Sequence, residues 1–254
     1  MEAYSDFAAL YDEFMEDTPY DEWCDNLINI LKGHGITHGL VCELGAGTGE
    51  MTTRLADRGF DMIGIDNSEA MLSVAREKEG DSNDILYLLQ DMREFELYGT
   101  VGAIVSVCDS VNYITDPEEL LRVFKLCNNY LDPEGILVFD FNTKYKYKEI
   151  IGDRTIAENG EDASFIWENW YDAESCINEY DITFFVKEEE DIYRKFTEEH
   201  FQRGYSVSEM KELIERSGMV FLDALDADTM EPAKDVSERV YIIAKEMGKS
   251  WETI

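Results

Sequence analysis

Three carboxylates mark places where the chain leaves an apolar run: Glu43, Asp66 and Asp91. Between the first two lies Gly45-Ala46-Gly47-Thr48-Gly49, with three glycines at alternate positions. Glycine lets the backbone come close to a ligand that a side chain would hold off. An acid about twenty residues beyond such a loop, at the end of the next strand, can accept hydrogen bonds from both hydroxyls of a ribose. The chemistry written here is recognition of a nucleoside-like ligand across adjacent strand ends.

A hydride-transfer enzyme with a dinucleotide is the rival reading. Its loop, G-x-G-x-x-G, uses the third glycine for close helix–strand packing. In this chain the glycines are 45, 47 and 49, and Glu50 opens the following helix. That helix end attracts anions, so a glutamate there opposes a pyrophosphate. A phosphate-free ligand tolerates it, and Glu43 suits a ligand that carries an ammonium group. Simpler roles compete for each residue. Asp66 can cap the next helix, Asp91 can serve a turn, Met71 can be helix core, and Tyr11 and Trp23 can pack their helices on the sheet.

The elements that must position these residues alternate in type. Residues 4–15 carry Tyr4, Phe7, Ala8, Tyr11 and Phe14 at helical spacing, and Pro19 opens a second helix through Trp23, Leu27, Ile30 and Leu31. Strands are expected at Gly39–Glu43, Phe60–Ile65, Ile85–Leu89, Ala103–Cys108 and Ile136–Phe141. Helices fall between them at Glu50–Arg58, after a Ser68 cap, and from Pro117 to Tyr130. Asp132-Pro133-Glu134-Gly135 reads as a turn into the fifth strand. Repeated β–α units with short apolar strands predict a doubly wound, mostly parallel α/β sheet. The rhythm changes after residue 150. Ser164–Tyr171, Ile177–Val186 and Tyr193–Phe201 are aromatic, partly alternating runs that predict antiparallel hairpins, with the acidic 188–191 stretch as a solvated tip. A helix at Ser208–Ser217, capped by Ser206 or Ser208, and strands at Val220–Leu225 and Arg239–Ala244 return to the first pattern. The expected organisation is one α/β domain, residues 1–150 and 206–254, with an antiparallel β insert at 151–205.

The formal net charge is −34, from 56 acidic and 22 basic residues. Such a field repels phosphate backbones, and no dense Lys/Arg cluster offsets it, which disfavours a nucleic-acid partner. The same acidity fits solubility, a salty habitat or a cationic substrate. Five cysteines without C-x-x-C spacing indicate neither a disulfide framework nor zinc, and the three histidines lack ligand spacing, so no metal is expected. No apolar stretch approaches the ~18 residues that cross a bilayer. The beginning of the sequence is acidic and aromatic rather than signal-like, which makes the cytoplasm the default expectation. Nothing in the pattern specifies an oligomer.

With these stretches in view, the chain resembles the class I S-adenosylmethionine methyltransferases over residues 1–245. The likeness rests on Glu43–Gly49, Gly64-Ile65-Asp66-Asn67-Ser68-Glu69-Ala70-Met71, Gln90-Asp91-Met92-Arg93 and Asp109-Ser110-Val111-Asn112-Tyr113. The resemblance implies a seven-stranded Rossmann-like sheet whose last strand runs antiparallel. It implies S-adenosylmethionine as cofactor and S-adenosylhomocysteine as product. The glycine loop, with Ala46, would pass beneath methionine and ribose. Asp66 would take the ribose diol, Asp91 the adenine amine, and the Met92 backbone the ring. Asn67, Met71, Gln90, Cys108 and Asp109 would complete the wall, under a helical lid bearing Tyr11 and Trp23. The Asp91-Met92-Arg93 region looks most like bacterial small-molecule amine methyltransferases, including sugar-amine and glycine N-methyltransferases. Glu168-Asn169-Trp170-Tyr171-Asp172 and the segment from His200 to Tyr205 look closer to an uncharacterised bacterial branch.

Methyl transfer from a sulfonium needs alignment and exclusion of water more than acid–base machinery. A general base matters only if the acceptor must lose a proton. Asp109, Asn112 and Tyr113 follow the fourth strand, where open α/β sheets bind ligands, and can orient an amine or hydroxyl there; a plain capped loop is the alternative. Trp170 and the other insert aromatics can roof a pocket and attract a cation, or simply pack. Arg203 and Tyr205 with His200 can bind an anionic part of the acceptor, His200 or Asp109 taking a proton. The expected reaction is methylation of a small-molecule nitrogen or oxygen. An RNA or protein acceptor, or a non-catalytic cofactor-binding module, stands as the alternative.

Overall fold

The computed structural model describes residues 8–15, 18–80, 84–160, 163–189 and 192–249. Two helices lead into the sheet, α1 (Ala8–Phe14) and α2 (Tyr20–Gly33). β1 (Gly39–Leu44), α3 (Glu50–Asp57), β2 (Phe60–Asp66), α4 (Glu69–Glu79), β3 (Leu86–Leu89) and β4 (Val101–Ser106) follow. Next come a short 3-10 turn (Ser110–Tyr113), α5 (Pro117–Tyr130) and β5 (Leu131–Asn142). After a π-helical turn at Lys146–Ile151 come four long antiparallel strands: β6 (Thr155–Asn159), β7 (Ala163–Asp172), β8 (Ile177–Glu189) and β9 (Ile192–Arg203). The chain ends in α6 (Val207–Arg216), β10 (Val220–Asp226) and β11 (Arg239–Lys245). Tyr4 and Phe7 of the first helical pattern, and Glu190 and Asp191 of the acidic hairpin tip, lie outside the described residues.

The main sheet has seven strands in the order β10-β11-β5-β4-β1-β2-β3. β1 to β5 run parallel, whereas β11 is antiparallel to both β5 and β10. The chain winds outward from β1 on one side and from β4 on the other, so the crevice at their carboxyl ends is the topological switch point where such sheets bind ligands. Alternation splits the buried side chains between two cores. Cys42, Leu44, Ile104 and Phe139 pack under α5 and α6, while Val41, Val105 and Val138 pack under α2 and α3 with Leu27, Leu31 and Leu55. Each fully buried leucine of this kind contributes about 1.5–3 kcal/mol.

The helix starts follow from capping. Ser68 accepts from the Met71 N–H at 3.3 Å, and Asp116 accepts from the Glu118 N–H at 2.8 Å with Pro117 in the first turn. Ser206, rather than Ser208, caps α6 in a reciprocal pair with Glu209. Two elements differ from the sequence reading. Asp132–Gly135 is not a free turn: Leu131 already pairs with Val101, and the register resumes at Ile136 with Ala103, so these residues bulge out of one continuous strand. β6 was not foreseen, because four of its five residues are exposed and carry no alternating apolar face.

The second sheet, β6-β7-β8-β9, packs through β9 against the 3-10 turn that follows β4. Its register places Phe165, Phe184 and Phe196 in one row, Trp167, Ile182 and Glu198 in the next, then Asn169, Tyr180 and His200, and last Tyr171, Asn178 and Gln202, all on one face. α1 bridges the two halves. Asp12 accepts from Thr48 at 2.6 Å and from Lys78 at 2.7 Å, while the Phe14 ring sits 4.8 Å from Phe184 and 6.0 Å from Phe165.

Candidate active site

A cavity of about 410 Å³ opens at the switch point, within the ~300–1,000 Å³ range of small-ligand sites. Its floor is the loop after β1. Gly45 has φ +74°, and a Cβ there would meet the Ser110 Oγ at 2.5 Å; Gly49 has φ +79°, and its Cβ would meet the Tyr87 hydroxyl at the same distance. Neither site accepts a side chain. Asp66 fixes this loop: its Oδ2 accepts from the Gly47 N–H and its Oδ1 from the Ser68 N–H, both at 2.8 Å. Burial raises the Asp66 carboxyl above its ordinary range, against the pull of those backbone donors.

Glu43 is 2% exposed beneath the loop and accepts from the Thr52 hydroxyl on α3. Burial pushes its carboxyl from 4.5 up to about 8. Asp91 takes the opposite course. Its bidentate pair with Arg93, 2.6 Å at the closest, holds it below the usual carboxylate range. Glu50 faces the cavity from the first turn of α3 and is bound to Arg54 and to Lys78, the latter at 2.5 Å. Among the described residues on this wall only Arg93 is a cation, and it is paired, which does not favour a pyrophosphate.

The structure brings Tyr11, Glu43, Gly45, Ala46, Gly47, Asp66, Asn67, Met71, Gln90, Asp91, Met92, Cys108 and Tyr113 to the wall of this one cavity. Ser110, Thr48 and Tyr20 join them without having been singled out from the sequence.

Seven expected site residues stand elsewhere, each for a physical reason. Asp109 is turned away: its Oδ1 accepts from Arg239 at 2.9 Å and its Oδ2 from Gln202 at 2.6 Å, which commits the carboxylate to structure. Trp23 lies under the Arg239 guanidinium at 4.6 Å rather than over the cavity. Asn112 is fully buried; it donates to the Asn142 and Arg203 carbonyls and accepts from the Asn142 N–H. Tyr205 is fully buried and donates to the Ile114 carbonyl at 2.5 Å. Arg203 donates to the Ser175 carbonyl at 2.9 Å and covers the Tyr205 ring. Trp170 is 46% exposed on the outer face of the insert. His200 is 3% exposed and does not touch the cavity directly; its Nδ1 lies 3.3 Å from the Tyr113 hydroxyl.

The segment after β4 owes its shape to a residue the sequence reading passed over. Cys108 and Asp109 both have left-handed φ, 56° and 52°, a conformation that non-glycine residues adopt only under constraint. Asp140, fully buried on β5, supplies it by accepting from both N–H groups, at 3.2 and 2.8 Å. Arg239 lies 3.5 Å from Asp140 and so balances two carboxylates. Asp140, like Asp109's partners Gln202 and Arg239, comes from a strand far along the chain, and only the register reveals it.

Among the described residues, no group of three His, Cys, Asp or Glu could hold a metal ion, and no helix is long and apolar enough to cross a membrane. The cradle fits an adenosyl ligand without phosphates. It offers bare backbone at Gly45 and Gly47, a half-buried carboxylate at Asp66, an acidic wall for an ammonium group and Met71 for an apolar ring face.

The comparisons agree with this geometry. The family described as a methyltransferase domain matches residues 41–135. A curated relative from Bacillus subtilis (strain 168), named among the methyltransferases as YqeM, is 38% identical over 245 residues, 95% of this chain and 96% of its own. The crystal structure of an S-adenosylmethionine-dependent methyltransferase from Clostridium acetobutylicum superposes with TM-score 0.86 at 27% identity, covering 96% of this chain and 99% of that one. An amino pentose methyltransferase from Micromonospora echinaspora, solved with S-adenosylmethionine bound, shares the fold at TM-score 0.75 and 16% identity, covering 95% and 96%. The chain belongs to the class I S-adenosylmethionine-dependent methyltransferases.

Proposed function

We propose that the enzyme methylates a nitrogen or oxygen of a small-molecule acceptor that enters beside Cys108 and Tyr113. The observation that carries this reading is the insert: its four-stranded sheet packs a polar face, with Tyr180, Asn178, His200 and Gln202 all buried, against the 3-10 turn whose Tyr113 lines the cavity. A cavity bordered in this way suits a compact molecule better than a duplex or a folded protein surface, and the −34 charge opposes a polyanion. The amino pentose methyltransferase of the same fold supports a small acceptor by analogy.

Asp66 and the Gly45–Gly47 backbone would hold the ribose side of the donor, Asp91 and Met92 the adenine, and Glu43 with Tyr11 the methionine end. The bound donor supplies an electrophilic methyl group on a sulfonium. The residues of this chain exclude water and hold the acceptor in line, the two contributions such a displacement requires. The experiment is a panel of small amines and alcohols, bulk RNA and a protein extract, with release of S-adenosylhomocysteine as readout. Turnover with a small molecule supports the reading. Turnover confined to RNA or protein overturns it.

A further inference from the structure

Behind Tyr113 runs a chain of polar groups that lead away from the cavity. Tyr113 lines the cavity wall. Its hydroxyl lies 2.8 Å from that of Tyr180 and 3.3 Å from His200 Nδ1. His200 Nε2 in turn lies 3.3 Å from Glu198 Oε2. Strand alternation places Glu198, His200 and Gln202 on one face of β9, with Tyr180 directly opposite His200 on β8. The Tyr180 and His200 rings stack at 4.8 Å and 19°, and Tyr113 meets the imidazole edge-on at 5.8 Å. Glu198, Tyr113 and Tyr180 face His200 from β9, the 3-10 turn and β8 respectively.

Donor and acceptor bookkeeping gives this chain a direction. A carboxylate only accepts, so Nε2 of His200 carries the hydrogen that points to Glu198. Nδ1 is then the acceptor and Tyr113 the donor. The Tyr180 hydroxyl donates to the Tyr113 oxygen. On this assignment the hydrogens of Tyr113 and His200 point away from the cavity wall, and the Tyr113 oxygen is an acceptor.

The geometry points to Tyr113 as the catalytic proton acceptor for an amine substrate that arrives as an ammonium ion, with His200 and Glu198 as positioning residues that receive the proton. This rests on the reading that the methyl acceptor docks beside Tyr113. In the step, a proton leaves the ammonium nitrogen for the Tyr113 oxygen as the phenolic proton passes to His200 Nδ1. The imidazolium that forms keeps its Nε2–H on Glu198. The freed nitrogen lone pair makes the bond to the methyl carbon, and the carbon–sulfur pair stays with sulfur. An ammonium proton is within reach of a tyrosine–imidazole pair at neutral pH, whereas an aliphatic alcohol holds its proton too tightly for it. The class of acceptor is therefore an amine.

The test needs no knowledge of the natural acceptor. Sinefungin carries an amino group where the donor carries its transferable methyl, whereas S-adenosylhomocysteine carries nothing there. Both are titrated into wild type, Tyr113→Phe and His200→Gln, with thermal melting as a check on folding. Loss of a charge-assisted hydrogen bond predicts about 10-fold or greater weakening of sinefungin in Tyr113→Phe, with S-adenosylhomocysteine within about twofold of wild type. His200→Gln should weaken sinefungin selectively and by less. Nitrogen-15 spectra of the imidazole should show the Nε2–H tautomer in wild type and lose that preference in Glu198→Gln. A Tyr113→Phe variant that binds both ligands as wild type does, or loses both equally, overturns the inference, as does an Nδ1–H tautomer in wild type. If wild type binds neither ligand, the underlying donor-site reading fails as well, and the two failures are told apart.

Discussion

Glu43 should make donor binding release a proton. It lies beneath the glycine loop at 2% exposure, and burial raises its carboxyl from 4.5 to about 8. That displacement sets on the order of 5 kcal/mol against the charged form. Near pH 7 a group of this kind is about nine-tenths protonated in the free protein. The ammonium of S-adenosylhomocysteine, brought beside it, favours the ionised carboxylate. Calorimetric titration near pH 7 in buffers of different ionisation enthalpy should therefore show release of up to about 0.9 proton, and affinity should strengthen as pH rises toward about 8. The same displacement governs the unliganded fold. The native state holds a proton that the unfolded chain has lost, so the contribution of Glu43 to stability is complete below 4.5 and disappears as pH rises through about 8. Glu43→Gln keeps an acceptor for Thr52 and should abolish both pH slopes, with about 10-fold weaker binding near pH 8. Binding without proton release, or a proton count unchanged in Glu43→Gln, would refute the reasoning.

Asp66→Ala should weaken S-adenosylhomocysteine by about 10–100-fold, since a charge-assisted hydrogen bond is worth about 1.5–3 kcal/mol. It should cost only about 1–3 kcal/mol of folding stability in urea titrations, because losing two backbone partners is partly offset by relief of the buried charge. Gly45→Ala places a Cβ 2.5 Å from Ser110 in a left-handed conformation; calorimetry should show affinity lost by about 10-fold or more. Asp109→Asn should lower the melting temperature, because Arg239 loses an ion-pair partner, while S-adenosylhomocysteine affinity stays within about twofold. An equal loss of affinity would return Asp109 to the cavity wall.

The cavity wall was legible because each part of it sits at a strand end marked by local sequence. β1, the Gly45–Gly49 loop, Asp66 and Asp91 lie within one stretch where apolar runs, glycines and acids fall at fixed offsets. The packing of the insert was not, because it depends on which face of that sheet turns inward. Aromatic rings occupy both faces: Trp167, Tyr180 and Phe184 share the inner rows, while Trp170 and Phe201 point out and are 46% and 43% exposed. Composition alone gives no sign of the difference. Alternation along β9 does group Glu198 with His200 and Gln202, but only the register against β8 sets His200 opposite Tyr180. Asp109 was misplaced for a similar reason. Its partner Arg239 lies 130 residues further on, beyond the reach of any local pattern.

Helix α1 has seven residues, too few to persist in water on its own strength. It exists because Asp12 is tethered at the glycine loop and α4, and because Phe14 is wedged into the insert. Any shift of this helix must therefore disturb the glycine loop and the insert at once. Any ligand that steadied the helix from one side would steady contacts made on the other, and by linkage such coupling is reciprocal. The glycine loop and the insert are thus joined through about two turns of helix.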